Sequence, residues 1–117
     1  MDMRDLENRS LNRNERNAIE AAVEALKRQF PVERIILFGS KARGDSDAYS
    51  DIDLLVVTSR PIHWKEERAI VDVLFDLGME HDVIFSPLFA SSEEWESGIF
   101  REFPVYREII EEGTVVP

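Results

Sequence analysis

Two rhythms of apolar positions divide the chain. After Asn12, residues Ile19, Ala22, Val23, Leu26 and Phe30 recur every three or four positions, the stripe of a helix that buries one face. Asn12 and Glu15 stand ahead of it at capping-box spacing, and Pro31 stops it. Short apolar runs then take over: RIILF, residues 34–38, reads as a strand, and Leu54 to Val57 as the body of a second. Pro61 is placed to open another helix, with Ala69, Ile70, Val73, Leu74 and Leu77 on its inner face and Gly78 at its end. The HDVIF run, residues 81–85, reads as the start of a third strand. Beyond Pro87 the pattern is largely helical. Ser91 and Glu94 again have capping-box spacing and Gly98 ends a short helix. Pro104 opens a last one, with Val105, Tyr106, Ile109 and Ile110 facing inward and Gly113 closing it. Trp95, Phe100 and Tyr106 are expected on the sheet or on a partner surface.

Composition narrows the class. A chain of 117 residues with 44% apolar content makes one domain, residues 1–117, able to bury a core without staples. Residues 1–11 are polar and are expected to fray or to be partly helical. No cysteine is present, which excludes disulfides and thiol chemistry. Apolar runs reach only four residues, and MDMRDLENRS lacks the apolar core of a signal peptide, so no membrane association and a cytoplasmic location are expected. The net charge of −10, with bases interspersed among acids, tilts against direct nucleic-acid binding and towards a small or protein substrate.

The chemistry gathers between Gly39 and Val57, GSKARGDSDAYSDIDLLVV. Asp51 and Asp53 are two apart on a strand and share a face, with Ile52 opposite. Like charges there call for a cation, and Mg²⁺ is typically held by one or two carboxylates plus substrate phosphates. Gly39 permits close backbone approach, and Ser40 offers an N–H and a hydroxyl to those phosphates. A short helix from Ser40 to Arg43 would add free N–H groups. Arg43 either reaches phosphate or pairs with Asp45 or Asp47, and Lys41 is a weaker phosphate candidate. Ser50 suits the turn into the Asp-x-Asp strand. Walker A spacing between Gly39 and Gly44 fails at Asp45, where that loop needs Lys. His63 reads as a surface residue at a helix start, and His81 as pointing away from Asp82 on the third strand.

These positions constrain the sheet. The helix between the second and third strands implies a crossover and hence parallel pairing. Gly39 and Ser40, at the far end of the first strand, reach Asp51 and Asp53 only if the first two strands are antiparallel. The expected fold is therefore α/β (α+β), a small mixed sheet of about three strands flanked by helices.

Gly39, Ser40, ten residues, then Asp51, Ile52 and Asp53 resemble the signature of the polymerase β-like nucleotidyltransferase superfamily in its minimal form. The resemblance spans roughly residues 13–113 and implies a nucleotidyltransferase fold. That family carries a third carboxylate on the next strand, for which Asp82 is the candidate. The implied chemistry uses two Mg²⁺ ions: Asp51 and Asp53 hold one on the triphosphate and, with Asp82, a second at the attacking hydroxyl. Asp82 is the candidate base, and Gly39, Ser40 and Arg43 bind nucleotide. Small members of this kind resemble the antitoxin partners of HEPN-domain ribonuclease toxins, which implies ATP as donor and a toxin tyrosine as the AMP acceptor. Transfer to a small molecule such as an aminoglycoside, and neutralisation of a partner by contact alone, stand as alternatives. The oligomeric state stays open, a homo-oligomer included.

Overall fold

The computed structural model describes residues 11–43 and 51–117. Helix α1 (Arg13–Gln29) begins at the expected capping box: Glu15 N–H donates to Asn12 Oδ1 and Asn12 N–H to Glu15 Oε1, both at 2.8 Å. Strand β1 (Val32–Phe38) delivers the chain to a five-residue helix, α2 (Gly39–Arg43). Strand β2 (Ile52–Thr58) follows, then α3 (Trp64–His81), β3 (Phe85–Ser91), α4 (Ser92–Ser97), α5 (Pro104–Glu112) and β4 (Thr114–Val116).

The sheet has four strands in the order β3-β2-β1-β4. Pairing is antiparallel between β1 and β2 and parallel between β2 and β3, the mixed arrangement that the candidate site required. The fourth strand was not anticipated. Three residues, TVV, are too short to show a period of two, and only antiparallel pairing with β1 makes them a strand.

Alternation assigns the two faces of the sheet. Ile35, Leu37, Ile52, Leu54 and Val56 pack with Ile19, Ala22 and Leu26 of α1 and Ile70 and Leu74 of α3. Each fully buried aliphatic side chain contributes about 1.5–3 kcal/mol. The opposite face presents Ile36, Phe38, Leu55 and Val57 to Ile109 of α5, with Trp95, Phe100 and Val105 packed around them. Of the inward positions expected on α5, Ile110 is exposed: its neighbour Ile109 faces the sheet, and Ile110, one position on, turns away from it.

Helix α3 differs from expectation at both ends. It starts at Trp64, not near Pro61, because His63 is the N-cap: its Nδ1 accepts from Lys65 N–H, and Glu66 closes a capping box. Gly78 does not end it. The helix runs on to His81, and Gly78 is where the returning chain crosses close: a Cβ there would stand 2.7 Å from the Val83 carbonyl oxygen. Its own carbonyl accepts from Val83 N–H at 2.9 Å as the helix terminates. His81 therefore lies on a helix, not on a strand face.

Candidate active site

Register brings the motif together. Phe38 at the end of β1 pairs with Asp53 on β2, so the turn leaving β1 lies against the start of the Asp-x-Asp strand. Gly39 takes φ +74°, a backbone region that L side chains rarely adopt. It also sits directly on the Asp53 side chain: a Cβ at Gly39 would lie 2.3 Å from Asp53 Oδ2 and 3.2 Å from Cγ. Two independent constraints, conformation and space, thus demand glycine. Ser40, half-buried on the first turn of α2, follows immediately. Asp53 is half-buried on β2, and Asp51 lies exposed just ahead of that strand. The structure therefore places Gly39, Ser40 and Asp53 side by side, with Asp51 two residues away along the chain.

Lys41 does not serve phosphate. Its side chain is 1% exposed, and its ammonium pairs with the buried Glu15 carboxylate. Glu15 is also the capping-box residue of α1, so one carboxylate ties the start of α1 to the helix carrying Ser40. Sequence reasoning missed this function for both residues. Each is charged and stands where a solvent-facing role is the default, and no local spacing links positions 15 and 41. Arg43 ends α2, and its side chain lies outside the described part of the structure, as do Asp45, Asp47 and Ser50.

Asp82 departs from the expected position. It is the exposed C-cap of α3, in the left-handed conformation (φ 56°, ψ 48°), and β3 begins only at Phe85. The physical cause is the longer α3, which consumes the residues expected to lead the strand. Ser86 instead is the β3 residue registered beside Asp53, and its hydroxyl is a polar neighbour that the sequence reading did not single out. Among the described residues, no three His, Cys, Asp or Glu side chains form a group that could hold a metal ion, so Asp82 does not join Asp51 and Asp53 as a third metal ligand. Two carboxylates beside a backbone cradle that a Cβ would fill fit one hard cation whose remaining ligands are phosphate oxygens and water.

An antiparallel β1–β2 pair joined through a Gly-Ser helix to an Asp-x-Asp strand, with a parallel third strand, defines a nucleotidyltransferase-type site. The family model for the nucleotidyltransferase domain matches residues 19–116, and the chain belongs to that family. It is 34% identical over 105 residues to a Methanocaldococcus jannaschii protein described as "putative protein adenylyltransferase", covering 88% of this chain and 98% of that one. A second protein of that organism with the same description is 37% identical over 57 residues, 49% of this chain and 58% of the relative. The fold is similar to that of a chain in a toxin–antitoxin crystal structure with AMP-PNP, at a TM-score of 0.55 and 17% identity, over 85% of this chain and 69% of the other. The protein is a nucleotidyltransferase. No helix among the described residues is long and apolar enough to cross a membrane.

Proposed function

We propose that the chain transfers AMP from ATP to a protein hydroxyl, a tyrosine of a HEPN-type toxin, in a Mg²⁺-dependent reaction. The observation that carries this reading is Gly39 seated on Asp53, which sets a backbone open to close approach against a half-buried carboxylate. The similarity to proteins described as adenylyltransferases favours a protein acceptor, and the toxin–antitoxin fold relative favours a toxin as that acceptor. Asp51 and Asp53 hold the cation, which supplies charge neutralisation at the triphosphate. Ser40 and the first N–H groups of α2 orient the outer phosphates. The acceptor oxygen bonds to the α-phosphorus, the bond to the bridging oxygen of the β-phosphate breaks, and pyrophosphate leaves. Asp82, exposed on its helix cap, takes the acceptor's proton.

The test is to incubate the chain and its co-expressed partner with ATP labelled at the α- or the γ-phosphate, with Mg²⁺ or chelator. α-Label on a partner tyrosine, Mg²⁺-dependent and without γ-label, is the expected result. An unmodified partner, with α-label on an aminoglycoside instead, would replace the protein acceptor by a small molecule.

A further inference from the structure

We propose that the cleft between α1, α3 and the lead-in to β3 docks a basic amphipathic helix of the protein acceptor, an inference that rests on the protein-acceptor reading above. The cleft holds about 740 Å³ and runs along the C-terminal half of α3, with Asn12 and Asn14 on its other wall. Val71, Phe75 and Met79 follow one another at intervals of four along that helix, with Ile84 beside them. Phe75, Met79 and Ile84 are 65%, 70% and 65% exposed, a row of large apolar side chains that joins neither core cluster among the described residues.

Charge selects the occupant. Asp72, Asp76 and Glu80 each stand one position after an apolar residue of the row, all exposed. Asp72 is answered by Arg68 at 3.4 Å, whereas Asp76, Glu80 and Asp82 make no ion pair among the described residues. The carbonyl end of α3 adds negative potential at the same place. A second copy of this chain, with net charge −10, would set like charges against this rim, and a triphosphate would be repelled by it. A helix with an apolar face bordered by Lys and Arg satisfies both features, in the manner of helix-in-groove recognition. Asp82 also lines the cleft, so a segment seated there lies beside the proposed base.

The full chain is titrated with fluorescent helical peptides that share one Leu/Phe face and carry Lys/Arg, Gln or Glu along its borders. The Lys/Arg peptides should bind, more weakly as salt rises, with the Gln series about tenfold weaker and the Glu series weaker still. Phe75→Ser and Met79→Ser should each weaken binding about tenfold at unchanged melting temperature. Asp76→Lys with Glu80→Lys should transfer the preference to the Glu peptides. Asp53→Asn should leave binding unaltered, which separates this result from failure of the transfer reading. The proposal is overturned by no binding at about 1 mM peptide, by equal binding of all three borders, or by full affinity in both Ser variants. Displacement of peptide by Mg²⁺-ATP, or a dimer that Phe75→Ser dissolves, would equally overturn it by assigning the cleft to nucleotide or to a second copy.

Discussion

Gly39→Ala separates the two constraints on the glycine that joins backbone to carboxylate. At φ +74° an alanine costs about 1–2 kcal/mol in backbone strain alone. Its Cβ, 2.3 Å from Asp53 Oδ2, also forces the carboxylate to rotate off its preferred angle, about 0.5–1.5 kcal/mol more. Urea unfolding should therefore show a loss of about 2–3 kcal/mol. In an Asp53→Ala background the collision is gone and only the backbone cost of about 1–2 kcal/mol remains. The double-mutant cycle should return a coupling of about 1 kcal/mol. Function should suffer more than stability, because a displacement of about 1 Å at reacting groups costs on the order of a hundredfold in rate. Additivity of the two substitutions within about 0.3 kcal/mol, or wild-type transfer by Gly39→Ala, would refute the close seating of Gly39 on Asp53.

Glu15→Gln removes the charge of the carboxylate that pairs with the buried Lys41 ammonium and should cost about 3–5 kcal/mol, most of it recovered when Lys41→Met is added. Equal melting temperatures for the single and double variants would show that the pair does not fasten α1 to α2. Asp82→Gly should gain about 1 kcal/mol by relieving the left-handed cap, while lowering transfer at least about a hundredfold if Asp82 takes the acceptor's proton. Unfolding and rate measurements on one preparation check both. Arg60 donates to both Glu66 oxygens, at 3.0 and 2.8 Å. That pairing, then the His63 N–H, holds the Glu66 carboxyl below its ordinary value. A depressed folded pKa contributes stability above the unfolded pKa and loses it as pH falls through the folded one. Glu66→Gln should flatten the acid side of the melting curve, and parallel curves for variant and wild type would contradict this.

Much of the site was legible because it is local. Gly39, Ser40, Asp51 and Asp53 lie within fifteen consecutive residues, and the demand that they meet requires the antiparallel β1–β2 pairing that the sheet shows. Capping boxes at Asn12–Glu15 and Ser91–Glu94 were equally readable, being contacts three residues apart. Where a residue's role depended on a distant partner, pattern failed. Lys41 and Glu15 are a buried pair that neither neighbourhood announces. Gly78 imitates a helix stop, yet its missing side chain serves the passage of Val83 three-dimensionally above it. Asp82 precedes three apolar residues that look like a strand, and the extension of α3 through His81 turns it into a cap. β4 exists only through its pairing with β1.

The most direct measurement of the central claim is the intact mass of the co-expressed partner after incubation with ATP and Mg²⁺, using wild type and Asp53→Asn side by side. Asn keeps the shape of the side chain beneath Gly39 while removing its charge, so both proteins should melt alike in chelator. The predicted result is one or more added AMP groups with wild type, none with chelator, and none with Asp53→Asn. A partner modified equally by a folded Asp53→Asn protein, or left unmodified by wild type, would contradict it.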